Sequence, residues 1–476
     1  MLSKGAVAVT TVILARLLLP QDFGLMALGL LCINYLDWIR DLGVGPAVIY
    51  RQEDPDRTSD VAFALSMAFT STLAVVAVFA APVAAAFFDE PRATGVIRVL
   101  AVALLVSGLG SIHESRLRKH LDFRRRLTPE LARAISKGAI AIALAILGFG
   151  VWSLVWGQVA STVVATAIYW RISDWRPRVT WDPDIARHLI RYGLPMVGVS
   201  LGAMFHDNID YLVIGRRMQA ADLGFYTLGF RIPELVIISS CIVISQVLFP
   251  AYARLQSDRV ALRAEYLAAL RAVTLFTVPA GIGLALVAPE AVTVLYSQQW
   301  APTIPVMRLL AIYAVVYSLS FHAGDVFKAM GRPNILNLLT IVQLSFSVPV
   351  LWIAAGHTIV HVAAAMVGLI AVLTVIRLTV TVRLLGVRVT ALLTAVRPAI
   401  LASMPMSAGL VTMGAVTVMD PPWRLVTNVM LGALLYLAGL RVFDRDAFHA
   451  IAGAARRLLS GPPVGRVDAA NAGAQR

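Results

Sequence analysis

Charged side chains are scarce in this chain of 476 residues, since Asp, Glu, Lys and Arg together make up only 14% of it. Cysteine is scarcer still, because Cys32 and Cys241 are the only two and lie far apart in apolar stretches. The sequence therefore predicts neither a disulfide nor a metal site. It also lacks the Gly-x-x-x-x-Gly-Lys-Ser/Thr pattern of ATP-binding loops and any large loop for a catalytic domain, so we expect no cofactor and no enzyme.

Apolar residues dominate the chain instead. They make up 59% of it, and the mean hydropathy is +0.78, which is more apolar surface than a soluble protein of this length could bury. The sequence predicts an all-α polytopic membrane protein with about 14 transmembrane helices of roughly 20 residues each. We place them near residues 3–19, 24–45, 61–87, 93–113, 129–148, 151–171, 188–214, 223–250, 268–288, 303–324, 334–355, 358–384, 391–417 and 424–443.

The net charge of +14 does not indicate nucleic-acid binding, because the basic residues lie in short loops between apolar stretches. The loops at 116–126, 171–191 and 254–271 are rich in Arg, whereas the intervening loop at 148–150 has no charge. Since positive loops stay on the cytoplasmic side, this alternation predicts that both termini are cytoplasmic.

The chain resembles itself at an offset of 200 residues. The segment from Ala15 to Gly29 returns from Gly215 to Gly229, with Arg, Asp, Gly, Leu and Gly at matching places. Such repeats are typical of transporters built from two similar bundles with a substrate site between them. We predict parallel six-helix bundles at 1–183 and 184–386, two further helices at 387–443 and a disordered tail at 444–476.

Arg16 and Arg216 occupy equivalent places near the ends of predicted helices 1 and 7, and Arg217 follows directly. A guanidinium that lines a cavity between the bundles could bind phosphate through two hydrogen bonds. The alternative is that each Arg reaches the membrane interface and complements the dipole of its helix.

Asp22 and Asp222 begin the helices that follow these arginines. The position favours a carboxylate that caps free backbone N–H groups. A sharper hypothesis is a gate of crossed ion pairs, with Arg16 bound to Asp222 and Arg216 bound to Asp22.

Predicted helix 7 carries His206, Asp207 and Asp210 within an apolar stretch. His206 and Asp210 are four residues apart and share a helix face, where an imidazole and a carboxylate can share a proton. The cluster could couple transport to protons or cations, or it could fix the helix against its neighbours.

Predicted helix 8 carries Arg231, Pro233 and Glu234. Pro233 cannot donate to the helix ladder, so it should bend the helix and free backbone groups beside polar side chains. Arg231 is a third candidate phosphate ligand, with Glu234 as a gating or coupling group, although the two side chains could simply neutralise each other.

Several motifs run in order through about residues 8–385: LARLLLPQDFGLMAL, DLGVGPAVIYR, GFGVWSLVWGQ, NIDYLVIGR, DLGFYTLGFR, LFPAYARLQSD and WAPTIPVMRLLA. The chain thereby resembles the bacterial polysaccharide flippases of the multidrug/oligosaccharidyl-lipid/polysaccharide superfamily. The resemblance is to exporters of O-antigen, colanic-acid and teichuronic-acid repeat units.

This resemblance implies two six-helix bundles in a V around a central cavity, in the bacterial inner membrane. It implies a transporter that moves undecaprenyl-diphosphate-linked oligosaccharides to the outer leaflet by alternating access, for lipopolysaccharide or exopolysaccharide synthesis. By resemblance, Arg16 is the "ARLL" arginine, and Asp210 and Arg216 are the acid and base of "NID…IGR", near a basic cavity for the diphosphate. Implied partners are the lipid-linked substrate, membrane lipids, and the polymerase and chain-length machinery.

The family usually has a cytoplasmic leader and a fuller first helix, whereas only residues 2–19 precede Pro20 here. We therefore expect either a late start or a short first helix.

Three other functions are compatible with the sequence. A multidrug/cation antiporter of the same superfamily would favour an acidic cavity. A membrane glycosyltransferase or ligase would require acidic pairs or Arg/His in a sizeable loop, and none is visible. A scaffold of a polysaccharide assembly complex would tolerate Arg16→Ala, Asp210→Ala and Arg216→Ala.

Overall fold

The computed structural model describes residues 2–41, 44–51, 53–119, 123–178, 180–416, 419–450 and 453. Within them the chain forms α-helices, one π-helical turn (Glu234–Ile238), one 3₁₀ turn (Gln298–Trp300) and no β-strand. The helices are α1 Leu2–Leu17, α2 Pro20–Asp41, α3 Val44–Tyr50, α4 Pro55–Phe87, α5 Ala93–Lys119, α6 Phe123–Ile146, α7 Val151–Ile172, α8 Pro183–Asp207, α9 Ile209–Arg217, α10 Ala220–Pro233, α11 Ser239–Arg254, α12 Arg259–Leu286, α13 Ala288–Leu295, α14 Thr303–Phe321, α15 Ala323–Ala329, α16 Asn334–Ala354, α17 Ile359–Leu385, α18 Val389–Val416 and α19 Pro421–Phe443.

Eleven helical segments of the described residues are long and apolar enough to cross a membrane. This confirms the predicted polytopic all-α fold. The three other predicted spans are also helical, but they do not meet that criterion. They correspond to the 16-residue α1, to the charge-bearing α6 and to α8 with α9.

The long helices alternate in direction, so the molecule has two ends. We call the end where α1 stops and α2 begins the crossing end. The opposite end, where α5 finishes with Arg116, Arg118 and Lys119, is the basic end.

A buried cluster at the crossing end joins the two halves of the chain. It contains Leu14 and Phe23 from the first half and Leu228, Tyr296 and Trp300 from the second. At the basic end, a second cluster packs Ile185 and Leu189 of α8 against α3, α4 and α5. The two halves therefore contact each other at both ends of the molecule.

Local structure differs from the prediction at four places. Predicted helix 2 stops at Asp41 and α3 follows, while predicted helix 7 is interrupted at Asn208 between α8 and α9. The segment 288–300, predicted as a loop, contains α13 and the 3₁₀ turn. The predicted disordered tail begins with ordered structure, since Asp444 binds Arg271 of α12 at 2.5 Å and residues 445–450 are helical. The rest of that tail, apart from residue 453, lies outside the described residues.

Candidate functional site: a central cavity with cationic walls

Two glycines bring the repeats together where α2 crosses α10. A Cβ atom on Gly24 would collide with the carbonyl oxygen of Ala220, and a Cβ atom on Gly224 would collide with the carbonyl oxygen of Pro20. These four residues are two equivalent pairs in the 200-residue repeat. The contact is therefore reciprocal, as expected where a pseudo-two-fold axis passes between two parallel helices.

Asp22 and Asp222 cap their helices, as the favoured interpretation of the sequence predicted. Asp22 accepts a hydrogen bond from the N–H of Leu19 at 3.0 Å, and Asp222 accepts one from the N–H of Gln219 at 3.2 Å. Each acid is the third residue of its helix and satisfies an N–H group just outside it. Among the described residues, neither acid binds Arg16 or Arg216, so the hypothesis of crossed ion pairs is wrong for this conformation.

Arg16 binds the end of α13 instead. Its Nε donates a hydrogen bond to the carbonyl oxygen of Leu295 at 3.1 Å, and its Nη2 donates to that of Val294. The last carbonyl groups of a helix have no partner within the helix and carry partial negative charge. Arg16 therefore caps a helix of the second half from the first half.

The 3₁₀ turn of the second half also donates hydrogen bonds to the end of α1 in the first half. The Nε2 atom of Gln299 donates to the carbonyl oxygens of Ala15 and Leu18, each at 3.1 Å, and the Nε1 atom of Trp300 donates to that of Ala15 at 2.6 Å. Ser297, which precedes the turn, has φ 104°, a conformation that costs about 1–3 kcal/mol. We call the set Arg16, Val294, Leu295, Gln299 and Trp300, with the end of α1, the reciprocal clasp.

Arg216 and Arg217 contact aromatic rings at the crossing end. The Arg216 guanidinium lies 5.7 Å from the centroid of Phe87, and that of Arg217 lies 4.9 Å from the centroid of Trp352. Both border a pocket of about 360 Å³, together with Glu90 and Arg92. Their role in substrate binding stays a prediction.

A cavity whose wall carries several polar and charged side chains, here called the central cavity, lies between the two halves of the chain. It consists of two adjoining spaces of about 410 and 380 Å³, which share wall residues from α1, α6 and α10 and from the π-helical turn. Further wall residues come from α2, α7 and α9. The cavity therefore lies between helices of the first half and the first helices of the second half.

Three cationic side chains line this cavity: Arg133 and Lys137 from α6, and Arg231 from α10. Two carboxylates, Glu130 and Glu234, share the wall. The Nη1 atom of Arg231 lies 3.3 Å from Oε2 of Glu234, so one cation is already paired. Charges in a cavity at membrane depth interact more strongly than in bulk water, which makes this wall suited to an anionic ligand that can displace or share Glu234.

The π-helical turn presents Glu234 to the cavity. It begins directly after Pro233, which has no backbone N–H to continue the α-helical ladder. The helix thus has a widened turn directly after Pro233, whereas the bend expected there stays a prediction. Such turns occur often at functional sites because they redirect side chains and backbone groups.

Glu130, Arg133 and Lys137 were not among the site residues predicted from the sequence. They are spaced three and four residues apart, which places them on one face of α6. That spacing within a predicted membrane span was the signal that could have revealed them, because ionisable residues at membrane depth usually face a cavity or a partner.

The polar cluster predicted on helix 7 lies at the interruption between α8 and α9. Asp210 is buried, and it accepts hydrogen bonds from the Tyr226 hydroxyl at 2.6 Å and from the N–H of Tyr211 at 3.0 Å. Among the residues that the structure describes, the Nδ1 atom of His206 has no hydrogen-bond partner, so His206 and Asp210 do not share a proton through it here. Asp207 is exposed. A coupling role for these residues stays a prediction.

An almost entirely apolar groove of about 910 Å³ runs between α12 and the pair α18 and α19. Val236 of the π-helical turn lies at its wall, while the preceding residue, Leu235, lines the central cavity. The π-helical turn therefore stands between a polar cavity and an apolar groove.

The sequence model of a family described as polysaccharide biosynthesis proteins matches residues 13–305. This chain belongs to that family. The matched region contains the last five residues of α1 and all of α2 to α13, and thus most of the cavity wall and the reciprocal clasp.

Curated relatives carry names from polysaccharide export. The chain is 28% identical to the succinoglycan biosynthesis transport protein ExoT of Rhizobium meliloti, over 65% of this chain and 62% of that protein. It is 25% identical to the teichuronic acid biosynthesis protein TuaB of Bacillus subtilis, over 84% of each chain. With the lipopolysaccharide biosynthesis protein WzxC of Escherichia coli it shares 23% identity, over 70% of this chain and 68% of that one.

Two solved structures share the fold at low sequence identity. The lipid II flippase MurJ, in an inward closed conformation, has a TM-score of 0.76 at 12% identity, covering 94% of this chain and 98% of that one. An inward-facing multidrug resistance transporter of the MATE family and MOP superfamily has a TM-score of 0.66 at 18% identity, covering 80% and 94%. The predicted membership of a polysaccharide biosynthesis family is thereby confirmed, and the two solved structures show that the chain shares their fold.

Proposed function

We propose that this protein moves undecaprenyl-diphosphate-linked oligosaccharide units from the inner to the outer leaflet of the bacterial inner membrane by alternating access. The observation that carries the proposal is the convergence of Arg133, Lys137 and Arg231 on one cavity between helices of the two halves. The family membership supports polysaccharide export in general. The positive-inside rule supports cytoplasmic termini, which makes the crossing end periplasmic.

The cationic wall matches the one charged part of this substrate class. A diphosphate diester carries two negative charges and many acceptor oxygens, and guanidinium and ammonium groups bind such oxygens with charge-assisted hydrogen bonds. Because Glu234 is paired with Arg231, binding of a diphosphate to Arg231 would release this carboxylate. Since Glu234 belongs to the π-helical turn, we expect this turn to move when the substrate binds.

The apolar groove matches the prenyl chain. Its walls come from α12, α18 and α19 and are almost entirely apolar, so a prenyl chain can occupy it without leaving an apolar environment. Because its wall adjoins the cavity at Leu235 and Val236, a lipid whose tail occupies the groove can place its diphosphate in the cavity.

The reciprocal clasp matches the requirement for a gate. It closes the crossing end with hydrogen bonds between the halves, and all of them end on carbonyl groups at helix ends. Opening the cavity at the crossing end requires these bonds to break. The glycine contact between α2 and α10 lies beside them and supplies a close backbone contact about which the halves can rock.

A strain that lacks the gene tests this proposal. We expect complete lipid-linked repeat units to accumulate on the cytoplasmic leaflet, and the wild-type gene to restore them to the outer leaflet. Arg133→Gln, Lys137→Gln and Arg231→Gln should each lower this restoration by at least about tenfold, since each removes a charge-assisted hydrogen bond. Arg308→Gln is a matched control, because Arg308 is exposed on α14 and lines none of these cavities.

Two outcomes would contradict the proposal. Truncated sugar units in the deletion strain would indicate a sugar-transfer enzyme. Complete units on the outer leaflet without the gene would indicate drug export or a scaffold.

A further inference from the structure

A pocket of about 360 Å³ at the crossing end has walls from both halves of the chain. The first half contributes Gln21 of α2 and residues of the segment 88–92, and the second half contributes residues 215–221, which join α9 to α10. The volume lies within the range of about 300–1,000 Å³ that is typical of ligand pockets. We call this space the arginine pocket, because three arginines line it: Arg92, Arg216 and Arg217.

Two of these arginines have no oxygen acceptor. Arg92 is occupied, since it donates to both carboxylate oxygens of Glu90 at 2.8 and 3.0 Å. Among the residues that the structure describes, Arg216 and Arg217 contact aromatic rings but make no hydrogen bond and no ion pair. Asp89 is the other carboxylate of the wall, and it is exposed. Three arginines against two carboxylates leave one net positive charge, so the pocket favours an anion.

The repeat explains why these donors are free. Arg216 is equivalent to Arg16, which binds the carbonyl oxygens of Leu295 and Val294 in the reciprocal clasp. The first repeat has no helix equivalent to α13, because residues 88–92 join α4 to α5 directly. Arg216 therefore has no such carbonyl groups to bind, and the arginine pocket borders it instead. An anion in this pocket would supply the oxygen acceptors that α13 supplies to Arg16.

The two free arginines lie at the ends of membrane-spanning helices. Arg216 contacts Phe87, the last residue of α4, and Arg217 contacts Trp352 in the last turn of α16. Both rings are exposed, and both helices are long and apolar enough to cross a membrane. The ends of such helices, and Trp rings in particular, lie at the level of the lipid headgroups. Headgroup phosphate is the anion that is present at this depth.

We propose that the arginine pocket binds the phosphodiester of an anionic phospholipid, such as phosphatidylglycerol, from the leaflet at the crossing end. A guanidinium can donate two parallel hydrogen bonds to phosphate oxygens, and basic pockets between transmembrane helices bind lipid headgroups in this way. Neither Arg216 nor Arg217 lines the central cavity. The site therefore goes beyond the proposed function, because the bound lipid is not the transported one.

A bound phospholipid would hold the crossing end closed. Arg216 and Arg217 belong to the second half, whereas Arg92 and Gln21 belong to the first, so opening this end separates the walls of the pocket. A ligand that binds only one of two conformations raises the population of that conformation. The lipid would thus add a connection between the halves beside the reciprocal clasp. In detergent without an anionic lipid, Arg216 contributes little to closure.

Lipid binding to the full-length protein in detergent tests the site, with native mass spectrometry as the measurement. We expect the wild type to bind phosphatidylglycerol at least about tenfold more tightly than phosphatidylcholine, whose choline cation offsets the charge of the same phosphodiester. An excess of inorganic phosphate should not displace phosphatidylglycerol, because a free ion lacks the acyl chains that hold the headgroup at this depth.

A double variant with Arg216→Gln and Arg217→Gln should bind phosphatidylglycerol at least about tenfold more weakly and phosphatidylcholine as the wild type does, since only charge-assisted hydrogen bonds are lost. Arg308→Gln is the matched control, because Arg308 is exposed near the start of α14 and does not line the pocket. Both changed positions of the double variant are exposed, so we expect it to fold.

Closure of the crossing end provides a second readout. At a phosphatidylglycerol concentration of about twice the Kd, the ratio of open to closed protein should fall about threefold in the wild type and stay constant in the double variant. Spin labels at the exposed positions Leu19 and Gln298, in a cysteine-free background, report this ratio. A constant ratio in the wild type would overturn the link to closure.

Three results of the binding experiment would overturn the lipid site. The first is equal affinity of the wild type for phosphatidylglycerol and phosphatidylcholine. The second is a double variant that keeps the preference for phosphatidylglycerol or that loses both lipids equally. The third is displacement of phosphatidylglycerol by an equal concentration of inorganic phosphate, which would assign the pocket to the free ion.

Discussion

The two repeats differ in one equivalent connection, which joins α4 to α5 in the first repeat and α12 to α14 in the second. In the first repeat, residues 88–92 join α4 to α5 directly, and the Arg216 guanidinium lies over the ring of Phe87, the residue before this connection. In the second repeat, the connection from α12 to α14 contains α13 and the 3₁₀ turn, and Arg16 reaches it through two backbone hydrogen bonds. The two arginines are equivalent in the repeat, but only one of them caps a helix.

This difference shows which features of a repeat persist and which diverge. Backbone contacts at the axis stay symmetric, since Gly24 and Gly224 each contact the other helix in the same way. Side-chain contacts away from the axis depend on the length of the connecting segment. The longer connection creates a clasp, whereas the shorter one leaves a pocket beside Arg216 and Arg217.

The largest effect should come from Trp300, which anchors the longer connection. Its ring is fully buried and packs edge-on against Phe23 of the first half and Phe225 of the second. Trp300→Ala should lower the free energy of unfolding by about 3–5 kcal/mol because it leaves a cavity. Trp300→Phe should cost far less, since only the hydrogen bond and part of the ring are lost. Thermal unfolding of the purified proteins measures both, and equal losses would contradict the role of packing.

The glycine contact should show the symmetry that the arginines lack. Gly24→Ala and Gly224→Ala each place a Cβ atom against a backbone carbonyl, so each should destabilise the protein by about 1–3 kcal/mol, to a similar extent. Gly368→Ala is the control, because a Cβ atom there meets nothing within 4 Å. Thermal unfolding in the same detergent compares the three. A large effect at one axial glycine alone would show that the crossing is not reciprocal.

Arg16 and Arg216 should respond unequally to the same change. Arg16→Gln weakens the clasp and should raise the population open at the crossing end about fivefold, the equivalent of ~1 kcal/mol for a hydrogen bond. Arg216→Gln should change it little. Spin labels at the exposed positions Leu19 and Gln298, in a cysteine-free background, report this population as a longer distance. Equal shifts in the two variants would contradict the asymmetry.

The smallest effect concerns the shorter connection, where Glu90 binds Arg92 through hydrogen bonds of 2.8 and 3.0 Å. These bonds lower the pKa of Glu90. A lowered pKa means that the pair stabilises the protein above the ordinary pKa of Glu and that this contribution disappears as the pH falls through the lowered value. Arg92→Gln should therefore lower the unfolding temperature slightly at pH ~7 and not at pH ~3. A difference that persists in acid would exclude this pair as its cause.

The sequence predicted those features that depend on local pattern. Hydropathy marked the membrane helices, and the position of Asp22 and Asp222 at the start of apolar helices marked them as caps. Pro233 marked the disturbance of α10, although not its π-helical form. The polar face of α6 is also visible in the local sequence, because Arg133 and Lys137 are four residues apart. This spacing was sufficient to predict that both residues face one side of the helix.

The rest depends on contacts between residues far apart in the chain. Arg16 and Leu295 are 279 residues apart, and no local pattern identifies a backbone carbonyl as the partner of a guanidinium. The segment 288–300 contains Pro289 and polar residues, which favour a loop, but packing of Trp300 against both halves stabilises a short helix and a turn there.

The cationic cavity is the central claim, and transport by the reconstituted full-length protein tests it most directly. Proteoliposomes would carry a fluorescent undecaprenyl-diphosphate-linked oligosaccharide, and a membrane-impermeant reductant would report its exchange between leaflets. We predict that the wild type and Arg308→Gln exchange the lipid at equal rates, and that a double variant with Arg133→Gln and Lys137→Gln is at least about tenfold slower. Exchange by the double variant at the wild-type rate would contradict a cationic binding site in this cavity.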